Sequence, residues 1–381
     1  MRLFLLVLLL LLVAVQLTPR STPERSGLNI TSVLAPPSNE GFTQATTPHP
    51  FQFPQDHGPH RSYRQEWWYV TGNLANPHGP ERFGYQLTLF RLGMTPALLP
   101  RPSAWAAREI HLGHLALSDL NTGQFYHFQK MARVALDLAG ADATRVWLED
   151  WSLNFKGDNP TQPQLAITAA HTPIQLQLAL QAQKPLILQG ERGLSRKSAQ
   201  SGAASHYYSI TRLATTGTVT IGAQEWPVQG TSWLDREWST SALAPDQSGW
   251  DWFALQLDDG WEVMFYRMRR HGQEDDPASQ GILVSPEGRT IPVQRPMWQQ
   301  QELGYWESPV SGIRYPSGWR IRMAEADLEL TVTPRIPNQE LTNAAIRYWE
   351  GAVALAGTHR GQKITGVGYV ELTGYAPASG R

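Results

Sequence analysis

Two neighbouring runs decide the reading of this chain: Gly230-Thr231-Ser232-Trp233-Leu234-Asp235-Arg236-Glu237-Trp238-Ser239, and Gly249-Trp250-Asp251-Trp252-Phe253-Ala254-Leu255-Gln256-Leu257-Asp258-Asp259-Gly260-Trp261-Glu262-Val263-Met264-Phe265-Tyr266-Arg267. Together they hold five of the fifteen tryptophans. The second run alternates along two stretches broken by Asp258-Asp259-Gly260, where glycine supplies the positive φ of a short turn, so it reads as a β-hairpin. With Leu257 opposite Trp261, period two puts Asp251, Phe253, Leu255, Leu257, Trp261, Val263, Phe265 and Arg267 on one face. That face is packing surface, closed by an Asp251–Arg267 cross-strand pair. The other carries Trp252, Ala254, Gln256, Glu262, Met264 and Tyr266, ring area with a few polar handles, as in pockets for largely apolar ligands. Any one of these aromatics is equally at home in a core; the cluster favours a cavity.

Working outward, the hairpin occurs twice. Gln65-Glu66-Trp67-Trp68-Tyr69 leads through a turn at Ala75-Asn76-Pro77-His78-Gly79-Pro80 into Phe83 to Arg91. Glu66 to Tyr69 aligns with Trp250 to Phe253, and Leu89 to Leu92 with Phe265 to Met268. Leu176 to Leu180 echoes Leu328 to Val332, and Gly-x-x-aromatic-aliphatic-acid closes both copies, at Gly230 to Asp235 and Gly366 to Glu371. The chain reads as a tandem duplication. Short strands at roughly ten-residue spacing fit two antiparallel barrels, an all-β architecture. Helical spacing is confined to Pro96–Ala107 and Asn338–Arg347. Glu191 to Ser205 and His271 to Gln280 read as mobile polar rims.

The 381 residues allow two domains, and the net charge of −1 without a basic stripe argues against a nucleic-acid partner. Met1 to Leu17 is Arg2 followed by a Leu/Val run, the pattern of an export signal or N-terminal anchor that would place the protein in the periplasm or on the membrane. With no cysteine there is no disulfide framework, thiolate metal site or cysteine nucleophile. The resulting divisions are 1–20 (signal or anchor), 21–60 (a Pro/Thr-rich strap or linker), 61–235 and 236–381 (the two barrels). His111-x-x-His114 places its imidazoles on opposite strand faces, His57 with Asp56 sits in the polar strap, and no phosphate loop or nucleophile elbow occurs, so no metal or cofactor is expected.

The motifs Gln65-Glu66-Trp67-Trp68-Tyr69, Gly230-x-x-Trp233-x-Asp235-x-x-Trp238, Gly249-Trp250-Asp251-Trp252-Phe253, Tyr348-Trp349-Glu350-Gly351 and Tyr369-Val370-Glu371-Leu372-Thr373-Gly374-Tyr375 resemble the AttH/CrtC family from about residue 55 onward. That family comprises AttH-like predicted secreted hydrolases and carotenoid 1,2-hydratases. The resemblance implies two lipocalin-like barrels and, for AttH relatives, association with ABC-type permeases. Arg236 and Met268 stand where the hydratases carry histidine and aspartate, and a guanidinium shuttles no proton, so the chain resembles the AttH branch.

Three functions follow as expectations: a ligand-binding envelope protein for an apolar or amphiphilic molecule such as a lipid or isoprenoid, a hydratase, isomerase or hydrolase using acid–base chemistry, and a structural protein with filled barrels. Candidate catalytic groups are Asp235, Glu237 and Tyr266, because carboxyls beside indole rings gain proton affinity and ring faces stabilise cations. Candidate ligand contacts are Glu66, Trp67, Trp68, Trp233, Trp238, Trp252, Gln256, Glu262, Met264 and Tyr266. Glu371 is expected to be a scaffold acid at the end of its barrel.

Overall fold

The computed structural model describes residues 39–96, 108–241, 243–272, 275–342 and 347–376. Within these the chain is all-β, with three single-turn 3₁₀ segments and no α-helix, and no helix is long and apolar enough to cross a membrane. Met1 to Leu17, expected to be an export signal or anchor, and residues 97–107 lie outside the described residues. The helix expected over Asn338–Arg347 is replaced by a strand at Glu340–Leu341, with Glu340 opposite Trp349; residues 343–346 lie outside the described ones.

Eight strands carry the argument: β1 (Gln65–Ala75), β2 (Glu81–Gly93), β3 (Ala204–Ile221) and β4 (Gln224–Ser239), then β5 (Gln247–Leu257), β6 (Glu262–Arg270), β7 (Tyr348–His359) and β8 (Gln362–Leu372). The first four form the run β2-β1-β4-β3 inside a 13-stranded antiparallel sheet, flanked by Glu109–Asp119 and Ile174–Ala182. The second four form β6-β5-β8-β7 inside a 10-stranded sheet, flanked in the same places by Gln280–Val284 and Leu328–Pro334. The two sheets are lipocalin-like barrels in tandem. The first curls until Leu148 and Trp151 crowd Gly113 on Glu109–Asp119. β4 belongs to the first sheet as far as Ser239, and the passage between sheets occupies 240–246.

Hydrogen-bond register corrects the repeat read from the sequence, which is off by one residue in matching Trp68 with Trp252 and by two in matching Asp235 with Glu371. Glu66 pairs with Arg91 and Asp251 with Arg267; Trp67 lies opposite Phe90 and Glu237, and Trp252 opposite Tyr266 and Glu371. Trp67 is therefore the counterpart of Trp252, Glu237 that of Glu371, and Tyr207 that of Glu350. Aligning Trp68 with Trp252 pairs opposite faces, because a one-residue slip turns every side chain over.

Alternation then builds three apolar layers. Trp68, Val70, Leu87, Leu89, Tyr208, Leu234 and Trp238 fill the first barrel. Phe253, Leu255, Val263, Phe265, Val353 and Val370 fill the second. The other faces meet between the barrels, where Tyr69, Tyr207, Trp233, Trp252, Met264, Tyr266 and Tyr369 form a third cluster. The site strands are thus covered on both sides. The barrels approach closely at Gly84, where a Cβ would stand 2.5 Å from the Ala352 Cβ and 3.0 Å from the Tyr369 hydroxyl. The strap expected over 21–60 packs on the first barrel in its described part: Phe51 and Phe53 lie on that core, and the Trp68 indole donates to the His57 carbonyl at 2.7 Å.

Candidate functional site

Between the barrels lies a cavity of about 70 Å³, walled on one side by Trp67, Tyr69, Phe90, Tyr207, Asp235 and Glu237 and on the other by Trp250, Trp252, Tyr266, Tyr348 and Glu371. Gln86, Thr88, Lys197 and Met268 complete it. Rings dominate, and the polar groups that remain are mostly titratable.

Asp235 is set by alternation on β4: Trp233, Asp235 and Glu237 face the interface, while Leu234, Arg236 and Trp238 face the barrel interior. Its Oδ1 accepts from the Ser209 hydroxyl at 2.5 Å and the Trp233 indole at 2.7 Å, and its Oδ2 meets the Tyr207 hydroxyl at 2.5 Å. Burial raises the Asp235 carboxyl, and the Ser209, Tyr207 and Trp233 hydrogen bonds pull it back only in part, leaving it at about 7. The Trp252 indole reaches the same Tyr207 oxygen at 3.3 Å.

Beside it, Glu237 forms an ion pair with Lys197 at 3.1 Å, and the ammonium lies 4.0 Å from the Tyr266 ring centroid. Burial lowers the Lys197 ammonium, but Glu237 and Tyr266 outweigh it and the net shift is upward. Tyr266 is fixed by Ser195 at 2.8 Å, by a Gln280 amide donor at 2.8 Å and by the Arg196 carbonyl at 3.0 Å. On the second barrel, Glu350 and Glu371 sit opposite each other on β7 and β8. Burial and then the Glu237 charge push Glu371 up to about 8, and burial and then Glu371 hold Glu350 well above the carboxylate range. Glu350 Oε1 accepts from the Tyr69 hydroxyl across the interface at 2.7 Å; its buried Oε2 has no hydrogen-bond partner among the described residues.

Of the residues singled out from the sequence, Trp67, Asp235, Glu237, Trp252 and Tyr266 line this cavity. The others lie elsewhere. Trp233 stands behind Asp235 as its donor. Met264 packs in the interface cluster, and the Gln256 amide donates to the Thr211 and Ser232 carbonyls. Glu262 is held between Lys184 at 2.6 Å and Arg212 at 2.5 Å. Trp68 and Trp238 belong to the first barrel's core. Glu66 is locked inside that barrel against Arg91 and Arg236. Glu371, expected as a scaffold acid, is on the cavity wall instead.

Among the residues that sequence reasoning passed over are Tyr207, Lys197 and Tyr348 on the cavity wall and Glu350 beside Glu371. Lys197 comes from the segment expected to be a mobile rim, yet Ser195, Lys197 and Ser205 are buried there, pinned by pairing of Leu194–Arg196 with β3. His57 and Asp56, expected to be solvated, are buried too. Among the described residues the one trio of metal-capable side chains, His49, Asp56 and His60, lies outside the cavity.

Comparison with known proteins agrees with this architecture. A crystal structure of a putative AttH from Nitrosomonas europaea superposes with a TM-score of 0.79 at 35% identity, over 88% of this chain and 100% of that one. Kievitone hydratase from Nectria haematococca shares the fold with a TM-score of 0.65 at 14% identity, over 88% of this chain and 96% of its own. CghA does so with a TM-score of 0.54 at 11% identity, over 83% of this chain and 90% of its own. No curated protein matches the sequence significantly. The AttH-like family model matches residues 44–375, and the chain belongs to the AttH-like family.

Proposed function

We propose that this protein binds a largely apolar or amphiphilic small molecule between its two barrels and transfers a proton to it, as in hydration or isomerisation of an unsaturated compound. The observation that carries this reading is Asp235: a buried carboxyl on the wall of an aromatic cavity, pushed up by burial to about 7 so that it can hold a proton near neutrality, and joined to the Tyr207 hydroxyl at 2.5 Å. Protonated, Asp235 donates to Tyr207, whose own hydrogen can then point into the cavity. A proton delivered to a double bond there would leave a carbocation, which the faces of Trp67, Trp252 and Tyr266 would stabilise through their quadrupoles. Burial makes each of these interactions stronger than in water. Kievitone hydratase has the same fold, but at 14% identity that supports the fold alone, so the chemistry rests on the cavity.

The test is solvent labelling. Purified protein is incubated with prenylated phenols and polyenes in D2O or H2(18)O, and products are read by mass spectrometry. Deuterium without oxygen incorporation would mark isomerisation, and both labels hydration. Asp235→Asn is expected to reduce labelling at least a hundredfold, in the range typical of a lost general acid. Trp252→Ala is expected to weaken binding of the same compounds, followed by tryptophan quenching, at least tenfold. Tight binding with no label under any condition would leave a carrier in place of an enzyme.

A further inference from the structure

Outside the cavity, where the strap lies on the first barrel, three side chains converge whose chemistry the proposed function does not use. Asp56 Oδ2 lies 3.1 Å from His49 Nε2, and Asp56 Oδ1 lies 2.9 Å from His60 Nε2. One donor atom from each residue falls within 4.8 Å of the other two. Asp56 is buried, and among the described residues its hydrogen-bond partners are the two imidazoles and the Gln52 backbone N–H, with no lysine or arginine among them. An anion placed between two imidazole nitrogens, without a cation of its own, is the donor arrangement of a divalent metal site.

The surroundings hold these groups in position. The His60 ring stacks on Trp238 with centroids 3.7 Å apart and planes within 3°. Its other nitrogen, Nδ1, lies 3.2 Å from an Arg236 amine and 3.6 Å from Glu66 Oε2. Arginine only donates, so without metal Nδ1 accepts and Nε2–H points at Asp56. Metal at Nε2 requires the proton to move to Nδ1, so the Arg236 N–H must give up its contact there and Glu66 Oε2 becomes the carboxylate partner of the kind that metal-bound histidines commonly use. A second observation is independent of the trio. The His206 ring centroid lies 5.3 Å from that of His49, and its buried Nδ1 has no hydrogen-bond partner among the described residues, while Nε2 is engaged by Tyr63 at 3.0 Å. This buried, unpartnered imidazole nitrogen lies on the ring next to His49, at the edge of the trio.

We propose that His49, Asp56 and His60 form a divalent transition-metal site, best matched to Zn2+, that closes the strap on itself where His60 stacks against the first barrel. Two nitrogens and an oxygen of this type suit Zn2+ over Ca2+ or Mg2+, which favour all-oxygen shells. Nitrogen and oxygen ligands sit about 2.0–2.2 Å from zinc, so binding requires the three groups to open around an ion and lose their mutual hydrogen bonds. The His49 side chain is 27% exposed and leaves a path for entry.

The experiment uses the full chain stripped with chelator and titrated with Zn2+ by calorimetry, with Co2+ as a spectroscopic probe. One ion per chain, a visible Co2+ band of histidine-ligated type and a rise in thermal midpoint with added Zn2+ are expected. His49→Ala and Asp56→Asn should each weaken binding at least tenfold and remove the midpoint rise, with far-UV circular dichroism showing that both variants are folded. Absence of stoichiometric binding by the folded parent, or binding unchanged in both variants, overturns the proposal.

Discussion

At the scale of single residues, the decisive fact is that Asp235 and Glu371 hold their protons far above the usual carboxyl range because burial outweighs the hydrogen bonds each accepts. The sign of the stability effect follows. A folded carboxyl at about 7 against an ordinary value of 3.8 binds more protons than the unfolded chain, so its contribution is complete below pH 4 and disappears as pH rises through 7, and through 8 for Glu371. Between pH 7 and pH 9, above the range where the buried His57, His114 and His206 imidazoles change charge on unfolding, thermal midpoints should therefore fall. Asp235→Asn, which cannot ionise, should flatten that slope; parallel slopes for variant and parent in scanning calorimetry would remove Asp235 from the account. Trp252 and Tyr266 were legible as site residues because alternation from a clear turn fixes faces. Glu66, Trp68 and Trp238 were assigned to the ligand on the same aromatic signal, yet they face inward: composition does not report which side of a strand a residue takes. Lys197, Tyr207 and Glu350 were invisible as a group because they come together only through pairings with distant strands.

At the scale of elements, the hairpin β5–β6 is the piece the sequence describes best. Its turn, its Asp251–Arg267 pair and its two faces follow from period two and one glycine with φ of 85° at Gly260. What the pattern could not foresee is that its polar handles serve docking. Glu262, with a fully buried side chain, takes Lys184 and Arg212 from the first barrel, and the Lys184 ammonium also donates to the Gly260 and Ser285 carbonyls. Removing the charge strands two cations at the interface, so Glu262→Gln should cost on the order of 3 kcal/mol, the lower part of the range for breaking a buried pair. Urea unfolding checks this; a loss below about 0.5 kcal/mol would mean that solvent already screens the pair. The duplication was legible in outline, but its register was not, since Trp67-Trp68 offers two adjacent rings to match with Trp252 and only backbone pairing chooses between them.

At the scale of the molecule, the barrels are joined by buried hydrogen bonds that run both ways. β1 reaches β7 and β8 through Tyr69–Glu350 and Asn73–Gly368, and β5 reaches β3 and β4 through Trp252–Tyr207 and Gln256–Ser232. Unfolding should accordingly be a single calorimetric transition. Gly84→Val, which thrusts a side chain at Ala352 and Tyr369, should separate the barrels enough to abolish ligand binding while the far-UV spectrum stays β-rich; undiminished binding would show that the interface can yield. The reciprocal contacts carry a historical consequence. The contacts are reciprocal as in a twofold dimer, β1 against β7 and β8 and its counterpart β5 against β3 and β4, and neither repeat alone encloses the cavity, so a half-length ancestor could have enclosed it only by self-association. Such a pair would have been bound to identical walls. Fusion of the two copies released that constraint, and the position that is Tyr207 in one half could become Glu350 in the other.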